Sequence, residues 1–118
     1  MPDTPNPAAE SAIAELLAIM ARLRDPESGC PWDLKQNFDT IVPYTVEEAF
    51  EVAEAVARRD YPELREELGD LLLQVVFHSQ MAREQGLFDF QQVVAVLNEK
   101  LIRRHPHVFA GQVAADEQ

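Results

Sequence analysis

Residues 47–70 have the sequence EEAFEVAEAVARRDYPELREELGD and decide the fold predicted for this chain. They contain one Glu-Glu-x-x-Glu pattern and one Glu-x-x-Asp pattern, on either side of a break at residues 59–62. Apolar residues recur at helical spacing on both sides of the break, and two helices joined by a short break pack antiparallel. The two acidic patterns are therefore predicted to face each other across a helix pair.

The two predicted helices differ in what surrounds their acids. The acids of the first share one arc, at about 100° per residue, opposite an apolar face: Glu47, Glu48, Glu51 and Glu54. Taken alone, this is an ordinary amphipathic helix. The second is apolar almost all round from Leu68 to Phe77, which predicts a buried helix. It keeps one narrow polar stripe, formed by Glu63, Glu67, Asp70 and Gln74.

A carboxylate stripe on a buried helix is costly unless something compensates for its charge. Facing acids from two helices could hold a divalent cation. Hard oxygen ligands without nearby Cys or His favour Mg²⁺ or Mn²⁺ over zinc. A ferritin-like di-iron bundle is disfavoured because the chain has no Glu-x-x-His pair. The sequence thus predicts a divalent metal site, with a solvated acidic face as the alternative.

Composition narrows the class of protein. The 118 residues suffice for one domain, and a hydrophobic content of 47% is typical of a globular one. A net charge of -11 argues against a surface that coats nucleic acid. The single Cys30 cannot form an internal disulfide, which fits a reducing cytoplasm. No signal-peptide pattern and no apolar run of membrane-spanning length is found, so no membrane partner is expected.

Periodicity and helix-end signals predict an all-α chain with four main helices. The motif TVEE at residues 45–48 matches a capping box, so the second helix is predicted to start at Thr45. In that motif Glu48 would cap the helix, which is the structural alternative to a role in metal binding. Asp60 and Asp89 are predicted N-caps, and Gly86 a helix stop. The predicted helices span residues 9–23, 45–59, 60–85 and 90–104, within a domain over 9–110 that is flanked by a flexible lead-in (1–8) and tail (111–118).

Two further regions are candidates for substrate binding. Residues 24–43 form a long, proline-punctuated connection, in which Trp32 could stack on a base and Lys35 could meet a phosphate. The alternative is that Trp32 and Phe38 anchor this segment on the core. Three basic residues lie within about one turn near the end of the last helix and could grip a polyphosphate, unless they only complement the helix dipole: Lys100, Arg103 and Arg104.

The chain resembles the MazG nucleoside triphosphate pyrophosphohydrolases in five stretches: MARLRDPESGCPWD at 20–33, EEAFE at 47–51, ELGD at 67–70, FHSQMAREQGLFDF at 77–90 and KLIRRHPHVF at 100–109. The resemblance implies an all-α fold of the MazG type, assembled as a homodimer or a homotetramer. It implies Mg²⁺-dependent cleavage of a nucleoside triphosphate to the monophosphate and pyrophosphate. Its metal ligands would be Glu48, Glu51, Glu67 and Asp70, and residues 100–104 would hold phosphate.

Two functional hypotheses follow from these residues and the resemblance. In the first, the chain is an enzyme of nucleotide-pool housekeeping, with Glu47 as the base that orients the attacking water. In the second, it is a non-catalytic nucleotide-binding or oligomerisation module. Many members of the family carry two such domains in tandem, so the chain is expected to be either a single-domain member or the first half of a longer protein.

Overall fold

The computed structural model describes residues 7–113 of the chain, which are all-α, as predicted, with no strand in that range. Four long helices and two short ones follow one another along the chain. Their bounds are α1 Pro7–Leu23, α2 Pro31–Leu34, α3 Phe38–Ala57, α4 Tyr61–Glu84, α5 Phe90–Arg104 and α6 Pro106–Val113. None of these helices combines the length and the hydropathy that a membrane span requires.

The predicted start of the second long helix at Thr45 is wrong, because α3 begins seven residues earlier. Asn37 caps it: the Asn37 side chain accepts from the Thr40 N–H at 2.9 Å, and the Thr40 hydroxyl oxygen accepts from the Asn37 N–H at 2.8 Å. The earlier start makes Pro43 an interior residue of the helix. It also brings Ile41 into the helix, and this side chain is buried in the core. The proposed capping role of Glu48 disappears with the predicted cap.

The helix ends that were predicted from N-cap residues and from Gly86 agree more closely with the structure. Asp60 caps α4 by accepting from the Glu63 N–H, and Gly86, at a φ of 72°, follows its end. Asp89 and Gln92 form a capping box at the start of α5, whose predicted range is confirmed. The helices α2 and α6 were not predicted, and α6 extends to Val113. Residues 1–6 of the predicted lead-in and 114–118 of the predicted tail lie outside the described residues.

The core lies where α1, α3 and α4 meet. Its buried side chains are Met20, Ile41, Val76, Phe77 and Met81, with Phe38 and Phe90 packed against them. All buried residues of α4 lie between Gln74 and Ala82. The prediction that α4 is buried from residue 68 is therefore wrong for the single chain, where Leu68 is 50% exposed and Leu72 and Leu73 are also exposed.

Candidate metal centre

Three carboxylates from two helices meet in one cluster, which we call the acid triad: Glu48, Glu67 and Asp70. Each offers an oxygen, and these oxygens lie within 4.8 Å of one another. Helices α3 and α4 pack closely and run antiparallel, as predicted, since Thr45 contacts Gln74 while Glu48 faces Asp70 and Glu67. The three-residue spacing from Glu67 to Asp70 puts both on the face of α4 that meets α3.

The acid triad is electrostatically strained in the absence of a cation. The pKa of Glu67 is raised to about 7, first by a hydrogen bond with the Glu63 carboxyl, then by partial burial and by the charges of Glu63 and Glu48. Partial burial, followed by the charge of Asp70, raises the pKa of Glu48. Like charges held this close favour the protonated forms.

One carboxylate oxygen of the triad also lacks a partner. The Glu48 Oε2 atom is buried and has no hydrogen-bond partner. Neither of the ion pairs in residues 7–113 involves the triad, because these pairs join Arg24 to Glu84 and Arg103 to Glu99. A buried carboxylate oxygen without a donor costs free energy that a bound cation would recover. The donor set, all carboxylate oxygen, fits Mg²⁺ or Mn²⁺.

The two other predicted acids lie beside the triad. Glu51, the fourth predicted ligand, is one turn beyond Glu48 on α3 and is partly buried. Glu47, the predicted base, is exposed. The charges of both contribute to the raised pKa of Glu48, so both carboxylates lie within electrostatic range of the triad. Neither belongs to the set of oxygens within 4.8 Å, so their roles stay predictions.

A polar network continues from the acid triad along the helix pair, and of its members only Gln74 was predicted from the sequence. The Thr45 hydroxyl donates to Gln74 Oε1 at 3.1 Å and lies 3.1 Å from His78 Nε2. The His78 ring stacks on Phe38, with centroids 5.9 Å apart, and burial lowers the pKa of His78. The signal was present in the sequence, since His78 continues the stripe of α4 four residues beyond Gln74.

Trp32 lies at the rim of this site. It is 49% exposed, and its ring meets Tyr44 edge-on with centroids 5.8 Å apart. Tyr44 is one turn before Glu48 on α3, so the two share a helix face. Of the two suggested core anchors, Phe38 packs against the core cluster and Trp32 does not belong to it. Lys35 is exposed at the end of α2.

The predicted phosphate-binding residues lie on α5, away from α3. Within the described residues, α5 packs on α4 and α6 and makes no comparable contact with α3. Arg103 pairs with Glu99 at 2.7 Å, and Arg104 is exposed. Lys100 lines an apolar groove with Val96 and Leu97. The charges of these cations are not among the causes of the pKa shifts of Glu48 and Glu67, which come from burial and from neighbouring acids.

A comparison with known families identifies the fold. The profile of the MazG nucleotide pyrophosphohydrolase domain matches residues 36–109, which include the whole acid triad. The chain belongs to the MazG family. The MazG match also takes in α5 and the basic residues near its end.

Individual relatives agree with this assignment. The chain is 62% identical over 102 residues to the nucleoside triphosphate pyrophosphohydrolase of Escherichia coli K12, covering 86% of this chain and 39% of that protein. It is 56% identical over 95 residues to the nucleoside triphosphate pyrophosphohydrolase/pyrophosphatase MazG of Thermotoga maritima, covering 80% of this chain and 37% of that protein. The chain therefore spans about two fifths of the length of these MazG relatives.

Proposed function

We propose that the chain hydrolyses nucleoside triphosphates to the monophosphate and pyrophosphate, with Mg²⁺ as its cofactor and Mn²⁺ as a substitute. The observation that carries the proposal is the acid triad, whose Glu48 Oε2 is buried without a partner. The names of the relatives support the reaction, since the Escherichia coli protein is called a nucleoside triphosphate pyrophosphohydrolase. We further propose that this reaction serves nucleotide-pool housekeeping in the cytoplasm, which the single Cys30 also fits.

Glu48, Glu67 and Asp70 would hold the cation, with Glu51 as the fourth ligand from the next turn of α3. When bound, Mg²⁺ supplies positive charge that offsets the triphosphate and polarises a phosphoryl oxygen. Glu47 orients a water molecule and takes its proton as the water attacks phosphorus in line. The attacked atom is the α-phosphorus, so its bond to the oxygen that bridges to the β-phosphate breaks and pyrophosphate leaves, while the monophosphate keeps the oxygen of the water. The exposure of Glu47 supports this role, because it leaves the carboxylate open to water.

Substrate binding would use both predicted regions. Trp32 contacts the nucleoside, and Lys35 meets a phosphate. Lys100, Arg103 and Arg104 stabilise the charge that develops on the leaving pyrophosphate. Because α5 makes no extensive contact with α3 within one chain, we propose that these cations reach the triad of another copy in a homodimer or homotetramer.

Exposed apolar residues support such an assembly. Large apolar side chains on α3 and α4 are exposed in the single chain, among them Phe50 at 70% and Leu68 at 50%. The radius of gyration is 17.1 Å, against roughly 13 Å for a compact chain of this length. A chain that leaves this much apolar surface open gains stability by covering it with a second copy.

The test is a pyrophosphate-release assay on the purified chain against the common ribonucleoside and deoxyribonucleoside triphosphates and dUTP, with Mg²⁺ and with EDTA. We expect Mg²⁺-dependent release with the monophosphate as co-product. A folded chain that binds nucleotide without releasing pyrophosphate would instead be the non-catalytic binding module. Activity that survives EDTA would contradict the proposed cofactor.

A further inference from the structure

A second charged cluster surrounds Arg24, at the start of the segment 24–37 that connects α1 to α3 and contains α2. The side chain of Arg24 is only 10% exposed, although it carries a permanent charge. Its Nε and Nη2 atoms donate to the two carboxylate oxygens of Glu84, at 3.1 and 2.6 Å. Gln80 supports the same carboxylate from one turn away, at 3.1 Å. The guanidinium also lies over the ring of Phe77, 5.8 Å from its centroid.

The remaining nitrogen of Arg24 binds the backbone around the end of α2. Nη1 donates to the carbonyl oxygens of Asp33 at 2.6 Å and Gln36 at 3.1 Å. A helix end leaves carbonyl groups free to accept bonds from outside the helix, and Arg24 binds two of the carbonyl oxygens at and after the end of α2. Because the acceptors are main-chain atoms, Arg24 fixes the position of the segment itself rather than the rotamer of one side chain.

The segment that Arg24 fixes is compact by its own construction. Asp25 Oδ1 accepts from the backbone N–H groups of Glu27 and Ser28, which forms a tight turn. Gly29 closes it, because a Cβ at this position would collide with the carbonyl oxygen of Leu23. The Gln36 side chain donates to the Trp32 carbonyl at 2.8 Å. These contacts hold the segment together internally, and the bonds of Arg24 to Glu84 tie it to α4.

Arg24 thereby links the end of α4 to the rim of the acid triad. Glu84 is the last residue of α4, and α2 carries Trp32. Trp32 contacts Tyr44, which is one turn before Glu48. A shift of α2 would move the indole relative to the triad, whereas the triad itself is held by α3 and α4 and would stay in place.

We propose that Arg24, held by Glu84, is a positioning residue for nucleotide binding, which fixes α2 so that Trp32 contacts the nucleoside of a substrate bound at the acid triad. This inference rests on the proposed function. In it, the Arg24–Glu84 pair acts on substrate binding, although neither residue takes part in the proposed reaction. Contacts to the nucleoside are made in the ground state and the transition state alike, so their loss raises KM and leaves kcat nearly unchanged.

The test uses Trp32 as its own reporter, since it is the only tryptophan in the chain. Arg24→Gln removes the positive charge. Arg24→Lys keeps the charge but cannot bind both Glu84 oxygens as the guanidinium does, and Glu84→Gln removes the negative charge that pairs with Arg24. Arg22→Gln and Glu66→Gln are matched controls at exposed positions of α1 and α4. Far-UV circular dichroism confirms the fold of each variant, and Arg24→Lys with Glu84→Gln keeps the test open if Arg24→Gln does not fold.

Without nucleotide, we expect the Trp32 emission of Arg24→Gln to shift to longer wavelength, with little shift in the controls. With substrate, we expect KM to rise roughly tenfold to a hundredfold at nearly constant kcat, and less in Arg24→Lys. A wild-type emission spectrum and KM in folded Arg24→Gln would overturn the inference, as would a lowered melting temperature with unchanged KM. If the wild-type chain releases no pyrophosphate, the proposed function fails instead, and the emission shift still reports whether Arg24 fixes Trp32.

Discussion

The acid triad and the Arg24–Glu84 pair are both partly buried charged clusters, yet they are built in opposite ways. Arg24 uses four N–H bonds, to two carboxylate and two carbonyl oxygens, of the five that a guanidinium offers. The acid triad brings three acids together, and one of their buried oxygens has no partner at all. The first cluster is complete within the chain, whereas the second leaves a buried carboxylate oxygen unpaired, which supports the proposed metal site.

The pKa shifts show the same contrast. Burial alone would raise the pKa of Glu84, but the hydrogen bonds from Arg24 and Gln80 outweigh it and lower that pKa. In the triad the neighbours are acids, so burial and like charge both raise the pKa of Glu48. The Arg24–Glu84 pair therefore fits a structural role, whereas the acid triad is a candidate binding site.

The largest effect is expected from Asp70→Asn in the acid triad. Removing one carboxylate weakens cation binding, so we expect pyrophosphate release to fall by about a hundredfold or more. The metal-free fold should not lose stability, because the substitution also removes like-charge repulsion. Turnover and metal-free thermal melting are measured side by side, with Glu66→Gln as the control. Near-wild-type turnover would exclude Asp70 from the site. Glu51→Gln, assayed in parallel, tests the fourth predicted ligand in the same way.

The matching change in the satisfied cluster is Glu84→Gln. It leaves the nearly buried guanidinium of Arg24 without its counter-charge, so we expect a loss of about 2 kcal/mol in the free energy of unfolding at neutral pH. Because the pKa of Glu84 is lowered in the folded chain, its contribution is present above the usual carboxylate pKa. It is lost as pH falls through the lowered value. Urea unfolding at neutral and acid pH measures both effects. Equal stabilities at neutral pH would contradict the role of this pair.

Metal binding at the acid triad should also depend on pH. The pKa of Glu67 is raised to about 7 without metal, so a proton must leave before a cation can bind. Apparent Mg²⁺ affinity should therefore rise about tenfold per pH unit below pH 7 and level off above it. In the metal-free chain, the folded state holds this proton more tightly than the unfolded state. Stability should therefore fall as pH rises from about 4.5 to 7.

Calorimetric Mg²⁺ titrations across this pH range, with parallel thermal melts in EDTA, measure both trends. Glu67→Gln serves as the matched variant, because it keeps the shape of the side chain and cannot titrate. We expect it to reduce the pH dependence of the metal-free melt in this range and to leave the smaller part that comes from the raised pKa of Glu48. Metal affinity that stays flat from pH 5 to pH 7 in the wild-type chain would contradict the raised pKa.

The smallest effect is expected from Glu99→Gln. Glu99 pairs with Arg103 on one face of α5, and both side chains are largely exposed. Such pairs contribute about 0.3–0.5 kcal/mol, and salt screens them. Urea unfolding of this variant beside Glu84→Gln compares an exposed pair with one whose guanidinium is nearly buried. If Glu99→Gln lost as much free energy of unfolding as Glu84→Gln, burial would not explain a difference between the two pairs.

The sequence could predict the antiparallel helix pair and its facing acids because that information is local. Three- and four-residue spacings define the helix faces, and a short break dictates the hairpin. The start of α3 was missed because TVEE at residues 45–48 and Asn37 with Thr40 are both capping signals. Burial of Ile41 favours the earlier one.

Long-range partners could not be predicted in this way. Arg24 and Glu84 are 60 positions apart, and no local pattern indicates that they meet. The same holds for Thr45 and His78, which are 33 positions apart. The exposed apolar face of α4 was also missed, because hydrophobicity alone does not tell whether another helix of the same chain or a second copy covers a surface.

The proposed function depends most directly on whether the acid triad binds a divalent cation. A Mn²⁺ titration followed by electron paramagnetic resonance, on the wild-type chain and on Asp70→Asn, measures this without any assumption about substrate. We expect one site per chain in the wild type, competed by Mg²⁺, and a large loss of affinity in Asp70→Asn with the helical content unchanged. Equal binding by the wild type and Asp70→Asn, or no binding by a folded wild-type chain, would contradict a metal site at the acid triad.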